Sequence, residues 1–324
     1  MSAYNENTTT LYTNRWHKSR HNGNFIGTQT MKRIIFKGVG TALITPFFDG
    51  EIDYIALGAL IERQIAAEAD ALVIGGTTAE AATLSDDERY KLYTFAKGKV
   101  AGRTKLILGT GTNDTRVAMA HTKFAERLGC DGVLLVTPYY NKGTEEGIKK
   151  HYLSIADSTN LPIIVYNVPS RTGVNLGYNL LESIAEHPNI VALKEASDST
   201  DRLVTLAAMK EKITLYAGND SQIFPTLALG GQGVISVVSN LMPRMTVEMC
   251  RSYFEGRYNE ALKLQLEMLP LIKTLFLETN PSPVKFAMEA LGLCRGEVRL
   301  PLSEPRESTR RQILEEMAKF KEFI

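Results

Sequence analysis

The runs PIIVYNVP (Pro162–Pro169) and IVALKEAS (Ile190–Ser197) decide the fold. Each is short, apolar and rich in β-branched residues, and each turns abruptly polar at its C-terminal end, as a strand feeding a loop does. Six more runs share the pattern: VGTALITPF ending at Phe47, ALVIGGTT at Thr78, KLILGTGTN at Asn113, GVLLVTPYY at Tyr140, TLYAGND at Asp220 and GVISVVSN at Asn240. Their starts lie roughly 20 to 35 residues apart, the period of a βα unit. Stretches such as DYIALGALIERQIAAEA (Asp53–Ala69) between them carry helical apolar spacing. Eight such repeats predict an α/β fold, a closed (β/α)8 TIM barrel. In that fold the polar ends GTT, GTN, TPYYN, YNVPSR, KEAS, AGND and VSN converge on one face, where residues distant in sequence can form a site.

The ends of the chain read differently. Residues 1–30 are rich in Asn, Thr and basic groups and poor in aliphatics, so they are expected to be a disordered leader or extension. The barrel is expected to occupy residues 31–256 as the catalytic domain. Residues 257–324 read as an appended helical layer, with amphipathic patterns in ALKLQLEMLPLIKTLFLE, SPVKFAMEALGL and STRRQILEEMAKFKEF. Some of that apolar surface is expected to meet another subunit, making a homo-oligomer, either a dimer or a tetramer.

Composition narrows the partners. The 324 residues are 44% hydrophobic, enough for one large core, and carry a formal net charge of +1. No basic excess is available for a phosphate backbone, which argues against a nucleic-acid partner and for a small substrate. Cys130, Cys250 and Cys294 form no CxxC pair, so neither a disulfide framework nor a zinc ribbon is expected, and a reducing cytoplasm fits. His121, His151 and His187 are scattered and read as solvent-facing rather than as a metal triad. No apolar run reaches the roughly 18 residues of a membrane span, and no signal core precedes a cleavage site.

Lys194 is the residue to which the chemistry attaches. Strand alternation sets Val191 and Leu193 on one face and Ala192 and Lys194 on the other, one of which is the barrel interior. A lysine desolvated there loses preference for its charged form, and the neutral amine can attack a carbonyl. The competing reading is an ordinary strand-end lysine paired with Glu195. Tyr166, ending the preceding strand, can stand beside Lys194 and move protons during imine formation. Arg171, in the loop after Pro169, can hold a carboxylate with its planar fork. Gly75 and Gly76 allow close backbone approach, and Thr77 and Thr78 offer hydroxyl and amide donors suited to a carboxylate. Tyr139 and Tyr140 must diverge, so one can serve this site and the other an interface. The glycines of LGGQGVIS weakly resemble a phosphate loop, and tight packing explains them better.

At these residues the chain resembles the dihydrodipicolinate synthase family, within the pyruvate-dependent class I aldolases that include N-acetylneuraminate lyase. The resemblance runs from about Phe36 to the C-terminus through GVGTALITPF, GGTTAEAATL, GTGTND, TPYYNKGTEEG, YNVPSRTG, LKEAS, AGND, GGQGVISV and NPSPVK. It implies a cofactor-free and metal-free reaction in which Lys194 forms an imine with pyruvate. Thr77, Tyr166 and Tyr140 would form a proton relay, the last lent by a neighbouring subunit, and Thr78 would help hold the pyruvate carboxylate. Arg171 would receive the carboxylate of aspartate semialdehyde, and Gly218 and Ile235 would line the pyruvate pocket. The product would feed diaminopimelate and lysine. Arg171, with Thr77, Thr78 and the TPYYN tyrosines, favours this over a lyase acting on a longer 2-keto acid sugar. A barrel retained only for binding, or a phosphate-binding isomerase, are the remaining alternatives.

Two departures from the family pattern bear on function. Ala79 stands where glycine is usual, which is tolerated unless the backbone there needs a positive φ. The feedback site for lysine known in some members would fall on Ala81, Asp86, Arg89 and Val117, with Asn113 and Tyr139 retained, and the cationic inhibitor would lose partners. Lysine should therefore inhibit weakly or not at all in steady-state assays; a micromolar inhibition constant would contradict this.

Overall fold

The computed structural model describes residues 33–320, so the expected leader at 1–30 lies outside the described residues. Eight parallel strands close into a barrel: β1 Gly38–Ala42, β2 Ala71–Ile74, β3 Lys105–Gly109, β4 Gly132–Val136, β5 Ile163–Asn167, β6 Ile190–Glu195, β7 Thr214–Ala217 and β8 Gly233–Ser236. Each pairs with its sequence neighbour, and β8 pairs with β1 to complete the ring. A short antiparallel hairpin, Phe47–Phe48 with Glu51–Ile52, follows β1.

Period-two alternation divides these strands into an inner and an outer core. Ala71 and Val73, Ile107, Leu134, Ile164, Tyr166, Ala192, Tyr216 and Ile235 point inward and pack together. Their neighbours Leu72, Ile74, Leu106, Leu108, Val133, Leu135, Ile163, Val165, Leu193, Leu215 and Val234 point outward into the helices. Ile35 and Phe36, just before β1, join the inner cluster, and the Phe36 ring stacks on Tyr216 at 4.4 Å. One expectation needs correcting. Val191 joins the inner cluster too, because the β5–β6 register shifts after Ile163, pairing Ile190 with Ile163 but Ala192 with Ile164. From Ala192 onward the alternation holds, and it carries Lys194 inward.

The helices start where sequence caps them. Asp53 caps α1 (Tyr54–Ala66), Ser85 forms a capping box with Glu88 on α2 (Asp86–Val100), Asp114 caps α3 (Thr115–Leu128), and Thr144 caps α4 (Glu145–Asp157). Then come α5 (Tyr178–Ala185), α6 (Thr200–Ala207) with its Ser199 cap, α7 (Ile223–Ala228) and α8 (Pro243–Phe254). His121 and His151, read from sequence as solvent-facing, are buried. They fall on the inward stripes 118/121/122/125 of α3 and 148/151/152/155 of α4, where His121 Nε2 meets Asp86 at 2.9 Å and His151 Nδ1 meets Thr115 at 2.9 Å. Burial holds His151 down at about 4.

Among the described residues three further α-helices follow the barrel: α9 (Tyr258–Thr274), α10 (Ser282–Ala290) and α11 (Glu307–Met317). They are tied to the barrel as well as to each other. Gln265 on α9 accepts from the Phe224 amide at 3.0 Å and donates to the Asp220 carbonyl at 3.1 Å.

The glycines of the Gly230–Gly233 loop serve packing. Gly233 opens β8 at the end of the barrel opposite the strand C-termini, with φ +151, and a Cβ there would lie 1.9 Å from the Gly38 carbonyl oxygen. Gly233→Ala combines a forbidden conformation with a backbone clash, and urea unfolding should show a loss of about 3 kcal/mol or more. A loss below about 0.5 kcal/mol would contradict this packing role.

Candidate active site

Lys194 reaches the C-terminal mouth of the barrel from β6, in register with Tyr166 on β5 and Tyr216 on β7. Its side chain is buried, and Nζ lies 4.2 Å from the centre of the Tyr166 ring. Burial lowers its pKa to about 7; Asp220 opposes that shift and Arg171 adds to it. The competing pairing with Glu195 does not occur. Glu195 points the other way, accepting from Asn167 Nδ2 at 2.9 Å, from the Ser197 amide at 2.9 Å and from Arg202 Nε at 2.9 Å. The acid beside Lys194 in sequence is thus consumed by a separate buried network, and the amine faces a cavity.

That cavity, of about 420 Å³, is lined by Lys194, Tyr166, Thr77, Thr78, Arg171 and Gly218 among others. Six of the eight residues singled out from sequence therefore meet in one place. Tyr166 is buried, which raises its pKa, while the Arg171 charge and the Thr77 side chain pull the other way. Its phenol stays protonated and able to donate. Gly218 lets the end of β7 close on the backbone after Lys194: its amide donates to the Glu195 carbonyl at 2.6 Å, and a Cβ would meet Ala196 Cβ and that carbonyl oxygen at 2.7 Å.

Thr77 and Thr78 lie in a one-turn helix, Thr77–Ala79, after β2. Ala79 is buried and needs no positive φ; the left-handed residue is the next one, Glu80, at φ 56°. Arg171 sits in a second one-turn helix, Pro169–Thr172, at the rim.

Two expected residues lie elsewhere. Ile235 packs in the inner core cluster, and Val237, two residues on, lines the cavity. Tyr140 does not line this cavity and is 88% exposed, at φ 71°.

Two further residues of the wall, neither singled out from sequence, hold its polar groups. Asn280, from the NPSPVK segment between α9 and α10, donates from Nδ2 to the Thr78 hydroxyl at 3.0 Å, and its carbonyl accepts from Arg171 Nη2 at 3.2 Å. Asp220 is buried, with Oδ2 accepting from the amides of Val237 at 3.0 Å and Val238 at 2.8 Å. Burial raises its pKa against those amides, the Ser236 side chain and the Lys194 charge. Asp220 Oδ1 and Asn280 Oδ1 have no protein partner among the described residues, and both residues line the cavity. The signals were present as AGND and NPSP, but neither shows in sequence which distant groups it meets.

Fold and site together define a class: barrel enzymes with a desolvated lysine amine at the C-terminal mouth, poised for a carbonyl substrate. Residues 35–320 match the Dihydrodipicolinate synthetase family, and the chain belongs to it. It is 45% identical over 275 residues to the 4-hydroxy-tetrahydrodipicolinate synthase of Clostridium novyi, covering 85% of this chain and 93% of that protein. It is 44% identical over 286 residues to that of Alkaliphilus oremlandii, covering 88% and 99%. The crystal structure of dihydrodipicolinate synthase from Aquifex aeolicus superposes with a TM-score of 0.86 at 41% identity, covering 89% of this chain and 99% of that one.

A lysine with its pKa near 7 is mostly neutral above that pH and an ammonium below it. Labelling of Lys194 by 1-fluoro-2,4-dinitrobenzene, an electrophile that does not itself titrate, followed by peptide mass spectrometry, should rise through a midpoint near pH 7, against the ordinary lysine value of 10.5. A midpoint near the ordinary value would remove the desolvation argument.

Proposed function

We propose that this chain condenses pyruvate with L-aspartate 4-semialdehyde, the 4-hydroxy-tetrahydrodipicolinate synthase reaction of diaminopimelate and lysine biosynthesis, through an imine on Lys194. The observation that carries the reading is the buried Lys194 amine beside Tyr166 in a cavity with Arg171 at its rim. The neutral amine attacks C2 of pyruvate, and the carbinolamine loses its hydroxyl as water once that oxygen is protonated. Tyr166, with Thr77 beside it, is the group placed to deliver that proton. The iminium then draws electrons from C3, so a methyl proton can leave and the enamine carbon can attack the aldehyde. The semialdehyde's own amino group can displace Lys194 and return it as the free amine. No cofactor is required, because the iminium is the electron sink.

Binding follows the charges. Thr78, steadied by Asn280, suits the pyruvate carboxylate, and Arg171 suits the second substrate's carboxylate. Gly218 allows the wall to close, and Val237 takes the place expected of Ile235. Tyr140 completes the relay from a neighbouring copy, its exposure supporting a homo-oligomer, dimer or tetramer. Among the described residues no helix is long and apolar enough to cross a membrane. Arg89 is buried and donates to the Ala81 carbonyl at 2.6 Å, so its positive charge beside Asp86 supports weak inhibition by lysine.

Arg171 separates this reading from cleavage of a longer 2-keto acid sugar. Arg171→Ala should lower kcat/KM for the semialdehyde by about a hundredfold, the loss of a bidentate charged contact, while leaving KM for pyruvate within about twofold. Wild-type cleavage of a sugar acid faster than condensation, or an Arg171→Ala variant with unchanged semialdehyde kinetics, would contradict it.

A further inference from the structure

Glu80 and Lys285 form an ion pair that lies outside the cavity and is closed to solvent, with side chains 1% and 0% exposed and Nζ 2.6 Å from Oε1. The second carboxylate oxygen accepts from the Arg299 amide at 2.9 Å. The Lys285 ammonium lies 4.2 Å from the centre of the Phe47 ring, and the Arg299 guanidinium lies 4.3 Å from it. Taking two charges out of water is costly, and apolar residues of similar size often serve stability as well. What the pair touches indicates a different use.

Glu80 directly follows the Thr77–Ala79 turn and holds a left-handed conformation, φ 56° and ψ 39°, that a residue with a Cβ rarely adopts. Its amide donates to the Thr77 carbonyl at 3.0 Å, closing the turn that carries both threonines. The Thr45 hydroxyl donates to the Ala79 carbonyl at 2.9 Å, and Asn280 donates to Thr78 at 3.0 Å. Lys285 stands on α10 five positions after Asn280, so one segment of the C-terminal region grips this turn at two points. A strained residue persists when its surroundings over-determine it. Here the surroundings are a buried ammonium and a backbone amide, both on the carboxylate of the strained residue.

We propose that the Glu80–Lys285 pair is a positioning device that fixes the Thr77–Thr78 turn against Lys194 and Tyr166, so that the C-terminal helical region sets the geometry of the proton relay and of the pyruvate carboxylate site. The proposal rests on the imine reading given above. It makes Glu80 and Lys285 positioning residues, since neither lines the cavity.

The test uses Glu80→Gln, Lys285→Met and the double variant. Each single variant leaves one buried charge unpaired and should lower Tm, whereas the double variant removes both charges and should recover most of it. Catalysis should not follow stability. In every folded variant kcat should fall about tenfold or more and KM for pyruvate should rise, as expected of hydroxyls displaced by a fraction of an ångström to an ångström, while KM for the semialdehyde stays within about twofold. If the single variants do not fold, the double variant decides. A double variant that recovers both Tm and wild-type kinetics would overturn the proposal and leave the pair a structural element. A wild-type protein that forms no borohydride-reducible adduct with pyruvate would overturn the imine reading and the positioning role with it; an adduct in the wild type beside unaltered variants would overturn the positioning role alone.

Discussion

The structure turns on an amine held out of water. Lys194 is carried inward by strand alternation, and Glu195, the nearest carboxylate in sequence, is engaged on the outer side by Asn167 and Arg202. Burial then acts on Lys194 with only the more distant Asp220 charge in opposition, and its pKa falls to about 7. A fully exposed lysine would stay protonated and inert at neutral pH, and one paired with a carboxylate would be held charged more firmly. The barrel creates the middle case: ring closure brings Tyr166 and Tyr216 to either side of Lys194, and the loops above shield it.

Much of this was legible from the chain. Period-two patterning and the polar ends of eight apolar runs were enough for a closed barrel and for Tyr166, Thr77, Thr78 and Arg171 at one mouth; they set Lys194 on the face opposite Leu193 and left open which face was the interior. The readings that failed did so for identifiable reasons. Val191 turned inward because a register shift between β5 and β6 absorbs one residue, which no single strand's pattern reveals. His121 and His151 were read by residue type, although their helical stripes marked them as buried.

The parts that sequence could not supply are pairings across long separations. Asn280 meets Thr78 across 202 residues, and Lys285 meets Glu80 across 205. Both contacts come from the C-terminal region, which reads from sequence as an added helical layer. In the structure it supplies a wall of the cavity and holds the threonine turn from behind, while Gln265 braces the loop that carries Asp220. Distance along the chain is a poor guide to distance from the chemistry, because a closed barrel brings every loop on one face to the same place.

The imine on Lys194 is the claim on which the functional account stands. Borohydride reduction in the presence of pyruvate, with mass spectrometry of the digested protein, tests it most directly. The account predicts one reduced pyruvate adduct, on the peptide containing Lys194, and its disappearance when aspartate semialdehyde is added before the reductant. An unmodified Lys194 peptide, or an adduct on a different lysine, would contradict it.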